Sequence, residues 1–306
     1  MAVVGDCLSE LRVGRALKIL QKKGAVKLTT PKQAEILVVV RTNAPFKFKG
    51  KLIYNVDDVF WAMPTNHACY DGFANMLKHN YADYWLEKAN LVMSSCNGAS
   101  EWLLEHKQKL SLVMPNVMPK EEFLPSFFKF KFNGSLVFSF GNFAHDHDII
   151  GSGLGVELVK MVDAYSIKAY GNSNLKAVNS LLHPSFISFL PMGEAYTSDL
   201  KYHTGAVGLI PLVDDAFNSG KSAIKGIEFV TRGIMPVFSF CGEYKEWAKV
   251  FPWMVKQGSW MESIDRVKAH ADDFPAVNAW VKERYNLDRV VDLWGGALKS
   301  LGLGVN

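Results

Sequence analysis

The chain has 306 residues, 49% of them hydrophobic and 21% charged, with a formal net charge of +4 and a pI near 8.7. That length suits two domains of about 130 to 170 residues each, and the balance of apolar and charged residues excludes a disordered or membrane-spanning chain. The longest purely apolar run, 36–40, is far below the roughly 18 residues of a spanning helix, so no membrane insertion is expected. The N-terminus has no basic stretch and carries Asp6 and Glu10 where a signal peptide is apolar, which predicts a cytoplasmic protein. Cys7, Cys69, Cys96 and Cys241 show no C-x-x-C spacing, so buried thiols are expected rather than a zinc site or a disulfide framework.

Strand-like apolar runs fall at 1–4, 35–40, 51–56, 90–93 and 110–114, with helical patterns at 11–22, 70–88 and 98–106 between several of them. Short unbroken β-branched runs separated by helices predict a parallel sheet covered on both faces, a doubly wound α/β unit. Pro115, Pro119 and Pro125 break the rhythm, which places a domain junction within 116–132 and gives units 1–128 and 129–306. Strand-like runs then restart at 135–140, 166–170, 186–190, 206–212 and 235–240, so the second unit repeats the architecture of the first. After Tyr244 the pattern is helical, and Trp247, Trp253, Trp260, Trp280 and Trp294 read as packing residues because large rings bury much area.

Chemistry concentrates in the segment 208–233. A buried strand ends at Pro211, a polar turn holds Asn218, Ser219 and Gly220, and a helix is expected to begin near Lys221 or Ser222. Free backbone N–H groups and the helix dipole favour an anion there, and Lys221 adds a full charge. Glu228 lies six residues after Ser222, about 9 Å along a helix, a workable offset from a pyrophosphate to a ribose whose hydroxyls a carboxylate accepts. The same residues also read as an ordinary amphipathic helix with Ala223, Ile224, Ile227 and Val230 inward and Gly233 as its stop.

The run 221–228, Lys-Ser-Ala-Ile-Lys-Gly-Ile-Glu, resembles the K-S-x-I-K-x-x-E element of a subset of the retaining group 1, family 4-like, glycosyltransferases. Gly141, His145 and Asp148 are similar to that family's G-x-x-x-H-x-x-D element, and Tyr54 to Pro64 to its Y-x-x-D-D-x-x-W-x-x-P element. Ser94-Ser95 and Val113-Met-Pro-Asn116 resemble its markers at the end of the first domain. Taken residue by residue, the resemblance implies a GT-B fold, two Rossmann-like domains facing a cleft. It implies donor contacts from Gly141, Asp148, Asn218, Ser219, Lys221, Ser222, Lys225 and Glu228. One departure stands out: the first glutamate of the commoner paired-glutamate motif would fall on Gly220.

Asp57, Asp58 and His145 are the candidate catalytic residues. An Asp pair at a strand's carboxyl end can orient or deprotonate an acceptor hydroxyl, or cap the following helix. A histidine four residues after Gly141 can donate to a phosphate or sugar oxygen. Arg12 matches an arginine that the subset often has after its first strand and is placed on the acceptor side; as a lone Arg it also reads as a surface charge. The His145-Asp-His-Asp148 run contains ordinary metal ligands, but adjacent residues do not converge on one ion unaided, and the resembled family generally needs none. No metal or other cofactor is expected.

The expected reaction is hexosyl or pentosyl transfer from a nucleoside-diphosphate sugar, with UDP as the commoner base, to a hydroxyl. The rivals are a non-catalytic GT-B protein that binds nucleotide-sugars and a GT-B epimerase or phosphorylase. For the acceptor, a bacterial surface glycan competes with a hydroxylated base in DNA, as in bacteriophage DNA-glycosylating enzymes. The alternation of Phe and Lys in 45–51 and 127–132 leans toward DNA, since such segments can contact phosphates and stack on a base. The same alternation is what a half-exposed strand looks like.

Overall fold

The structure, a computed structural model, describes residues 1–4, 13–41, 44–67, 70–141, 145–171, 173–182 and 194–302. Arg12, Cys7, Cys69 and the strand expected at 186–190 lie outside the described residues. Among the described residues, no helix is long and apolar enough to cross a membrane.

The first half contains β1 (Ala2–Val4), α1 (Gly14–Lys22), β2 (Ile36–Val40), β3 (Lys51–Val56), α2 (Tyr70–Lys78), α3 (Tyr81–Lys88), β4 (Leu91–Ser94), α4 (Asn97–Lys107) and β5 (Leu112–Val113). The five strands form one parallel sheet in the order β1-β2-β3-β4-β5. Strand β2 shows why both faces must be covered. Ile36, Val38 and Val40 join the core formed with Leu17, Leu20 and Trp294, while Leu37 and Val39 join Trp85, Leu86 and Leu103 on the other face. The single helical pattern expected over 70–88 is two helices, because Asn80 adopts a left-handed conformation at φ 53° that ends α2 and restarts the chain as α3.

The second half contains β6 (Ser135–Gly141), α5 (Asp146–Gly151), α6 (Leu154–Ala164), β7 (Ser166–Gly171), α7 (Lys176–Leu182), α8 (Glu194–Leu200), β8 (Val207–Ile210), α9 (Ala216–Ser219), α10 (Ile224–Thr231) and β9 (Met235–Phe238). Its parallel sheet has the order β7-β6-β8-β9. Successive connections therefore leave β6 in opposite directions, and the crevice at the carboxyl ends of β6 and β8 is a topological switch point, where ligands of open α/β sheets bind.

The tail is α11 (Tyr244–Val250), α12 (Trp260–Ala269), α13 (Phe274–Arg284) and α14 (Leu287–Ser300). Its tryptophans pack: Trp247, Trp260 and Trp294 are fully buried, Trp280 meets Trp247 edge-on at 5.5 Å, and Trp253 stacks on His270 at 4.7 Å. Helix α14 returns to lie against α1 of the first half.

The carboxyl ends of the two sheets face each other and touch. Cys96 Sγ, after β4, is 3.2 Å from the Gly220 carbonyl, and Asn116 Nδ2, after β5, donates to Ser222 Oγ at 2.7 Å. Gly98 sits so close to the Ser219 carbonyl that a Cβ would lie 2.0 Å from its oxygen. Since the clash is with backbone, Gly98→Ala must push the halves apart. It should lower stability by about 1–3 kcal/mol in denaturant unfolding, and an unchanged midpoint would show that the contact yields freely.

Candidate active site in the cleft between the two sheets

The helix start near residue 221 is later than expected. Lys221 N–H donates to the Asn218 carbonyl and Glu243 N–H to the Lys221 carbonyl, so 221–223 form a turn and α10 begins at Ile224. In that turn and the first helical turn, Ala223 N–H donates to Glu243 Oε2 at 3.0 Å and Gly226 N–H to the Tyr244 hydroxyl at 3.0 Å. The amides of Ser222, Ile224 and Lys225 find no acceptor among the described residues. The Lys221 ammonium stands over the Phe217 ring, 4.5 Å from its centroid, and 3.9 Å from Asp58 Oδ1 across the cleft. Lys225 is half-buried, and burial followed by the Lys221 charge lowers its ammonium to about 8.

Glu228, one turn further on, is only 5% exposed. Burial pushes its carboxyl up to about 7, against the pull of the Lys225 and Arg232 cations. The Tyr196 hydroxyl, 2.9 Å from Ser139 Oγ, is also within hydrogen-bond reach of this carboxyl. Arg232 is itself buried and paired with Glu122 of the linker.

At the switch point, Asp148 ties the two loops together. Its carboxylate accepts from His145 Nδ1 at 2.7 Å, from Val213 N–H at 3.0 Å and from Asn218 Nδ2 at 2.7 Å. Burial is the largest single influence and would raise Asp148, but the His145 bond and charge, the Val213 N–H bond and the Lys221 charge together outweigh it, and the carboxyl falls to about 2. Burial, reinforced by the Lys225 charge, lowers His145 to about 4. An ionised Asp148 only accepts, so the proton of the neutral imidazole sits on Nδ1 and Nε2 carries a lone pair. His145 is thus an acceptor at Nε2, suited to a sugar hydroxyl, rather than the donor to a phosphate or sugar oxygen expected from its sequence position. The rest of the His-Asp-His-Asp run turns to separate partners, Asp146 to Ser173 and to Asn174 N–H at 2.8 Å, and His147 toward Asp215 at 3.6 Å. Gly141 closes β6 opposite Gly171, and the Ser219 hydroxyl turns back onto the Ala216 carbonyl of its own helix.

From the first half, Asp57 and Asp58 reach the cleft after β3. Both accept from Nη2 of Arg41, at 2.6 Å for Asp57, and Ser95 Oγ donates to the Asp57 carbonyl at 2.7 Å. Arg41, directly after β2, has φ 44° and was not singled out from sequence, although its place at a strand's carboxyl end is a usable signal. His67 was also missed. It is buried edge-on against Phe217 at 5.0 Å, with burial and then Lys221 lowering its pKa, and no local pattern marks it. Position 220 is closed by the first half: a Cβ there would lie 2.3 Å from Val59 Cγ2, so no glutamate fits while Val59 is in place.

The two Phe-Lys segments alternate as half-exposed chain. Phe46 packs on Trp85 at 5.2 Å, Phe130 stacks on Phe274 at 5.6 Å and Phe132 meets Tyr165 at 6.0 Å, while Lys47, Lys49, Lys129 and Lys131 are exposed. These three rings are committed to packing, whereas Phe127 is exposed.

No protein-family model and no curated protein matches the sequence. Solved structures do match over nearly the whole chain. Sucrose-phosphate synthase from Thermosynechococcus elongatus is 14% identical with a TM-score of 0.58, covering 94% of this chain and 78% of that one. HepE from Anabaena in complex with UDP-glucose is 12% identical with a TM-score of 0.57, covering 96% and 84%. AviGT4, a glycosyltransferase involved in avilamycin A biosynthesis, is 11% identical with a TM-score of 0.53, covering 95% and 79%. At this identity the likeness speaks for architecture, and with the two facing parallel sheets it establishes that the chain has the GT-B fold.

Proposed function

We propose that this protein is a glycosyltransferase that moves a sugar from a UDP-sugar to an acceptor hydroxyl. The observation that carries this reading is the start of α10 and the turn before it, where two lysines and three amides without acceptors among the described residues precede the buried Glu228 by one to two helical turns. A nucleoside diphosphate fits that arrangement, with phosphates at Lys221, Lys225 and the amides, and ribose hydroxyls at Glu228. Uridine as the base is supported by the HepE complex, whose bound donor is UDP-glucose.

As the glycosidic bond to the diphosphate breaks, negative charge grows on the leaving oxygens, and cations and N–H dipoles already in place stabilise it without reorganisation. His145 Nε2 accepts a donor-sugar hydroxyl, with Asp148 fixing the ring, so Asp148 and Asn218 position the donor rather than touch it. Asp58, within reach of Lys221, orients the acceptor hydroxyl from the facing half. Retention of anomeric configuration is carried over from the family resemblance, and NMR of the product anomer tests it.

We infer a glycan acceptor, because Phe46, Phe130 and Phe132 of the two Phe-Lys segments are packed into the protein and leave Phe127 exposed, whereas stacking on an extruded DNA base needs rings presented to solvent. Two measurements test the function. A thermal-shift screen with UDP- and GDP-sugars should give one clear stabilisation, about 2.7 kcal/mol at 100 times the dissociation constant. Binding without turnover of donor in a hydrolysis assay would favour a sensor. Fluorescence anisotropy with duplex DNA should show no affinity at about 50 mM salt, and a signal that falls steeply by about 200 mM would restore the DNA acceptor.

A further inference from the structure

The connection from β9 to α11 shapes the start of α10 from below. Glu243 N–H donates to the Lys221 carbonyl at 3.1 Å, Ala223 N–H donates to Glu243 Oε2 at 3.0 Å, and Gly226 N–H donates to the Tyr244 hydroxyl at 3.0 Å. Gly242, at φ 55°, lies so near that a Cβ would sit 2.7 Å from both the Asn218 and Lys221 carbonyl oxygens. The remaining carboxylate oxygen, Glu243 Oε1, accepts from the Tyr285 hydroxyl at 3.0 Å, and that hydroxyl accepts from Trp247 Nε1 at 3.0 Å. Tyr285 is in turn fastened to the linker between the halves, its carbonyl accepting from Met118 N–H at 3.0 Å.

We propose that Glu243 is a positioning residue for the donor diphosphate: it pins the 221–223 turn so that the Lys221 ammonium and the amides of Ser222, Ile224 and Lys225, which meet no acceptor among the described residues, face one anion. Tyr285 extends the brace to the domain junction. The inference rests on reading the start of α10 as the diphosphate site. Burial of a carboxylate is costly unless its oxygens are engaged, and both oxygens of Glu243 meet a donor, which ties the conformation of this turn to the charge-bearing group itself. The two donors come from different parts of the chain, so losing either bond loosens the turn, which stays tied through Glu243 N–H to the Lys221 carbonyl and Gly226 N–H to the Tyr244 hydroxyl.

Glu243→Gln separates positioning from bulk stability. A glutamine oxygen can accept from Ala223 N–H or from the Tyr285 hydroxyl, while its NH₂ faces the other donor. Calorimetry with UDP should show Kd rising about tenfold in E243Q, with KM for the UDP-sugar rising in parallel and kcat changing by less than about threefold. Tyr285→Phe, which keeps the carboxylate and removes one donor, should raise Kd by about threefold and serves where E243Q folds poorly. A folded variant with wild-type Kd for UDP, or one whose Tm falls while Kd is unchanged, overturns the inference alone. A wild-type protein that binds no UDP overturns the donor reading and this inference with it.

Discussion

Lys221→Met should lower kcat/KM for the UDP-sugar by about 10² to 10³, the usual loss when one preorganised donor to a developing anion is removed. The ammonium is only partly exposed and is held by the Phe217 face and by Asp58, so it is placed before the donor arrives. Methionine keeps the length and apolar stem and removes only the charge. Lys221→Arg should restore part of the loss, since charge is kept while the point-like ammonium is replaced by a planar fork. Kinetics over 50 to 200 mM salt give a second readout, because a diphosphate bound through fewer cations is less salt-sensitive. A kcat/KM within about twofold of wild type would remove Lys221 from the reaction.

Glu228→Gln should weaken UDP binding by about 10- to 100-fold, as expected for losing charged hydrogen bonds in a buried site. The pH dependence is the sharper test. The Glu228 carboxyl ionises only as pH passes about 7, and ribose hydroxyls need the ionised form as acceptor, so donor affinity rises from pH 6 toward 7. Above about 8 the Lys225 ammonium loses its proton and affinity falls again, leaving a maximum between the two. For stability without donor the sign is opposite. A carboxyl raised from 4.5 to about 7 holds a proton in the folded state that the unfolded chain has released, so stability present at low pH is lost as pH rises through this interval. In E228Q the rise in affinity from pH 6 to 7 should vanish and the stability curve flatten. An affinity profile identical to wild type would place the ribose elsewhere.

Much of this architecture is legible in the sequence because it is local. The run Ile36–Val40 is buried at every position and reads as a strand covered on both faces, and the expected β3 limits, 51–56, match the strand Lys51–Val56. Prolines at 115, 119 and 125 mark the passage between the sheets because they cannot continue either element. Helix α10 carries its own apolar stripe, so Glu228 could be set at a fixed distance from the preceding turn.

The cross-cleft chemistry was decided by tertiary structure. Cys96 and Gly220 are 124 residues apart and Asn116 and Ser222 are 106 apart, and no periodicity links positions that meet only through the facing of two sheets. Arg41 finds Asp57 and Asp58 because β2 and β3 are neighbours in register, with Val40 opposite Asn55, which carries the residues after both strands to the same edge. The His145 tautomer depends on Asp148, and Asp148 on Val213 and on Asn218 of α9, 65 and 70 residues away. Strand and helix patterns report which side of an element meets the core. Which charged group meets which, and so where a proton sits, depends on the packing of elements distant in sequence, where burial and neighbouring charges shift each group from its ordinary state.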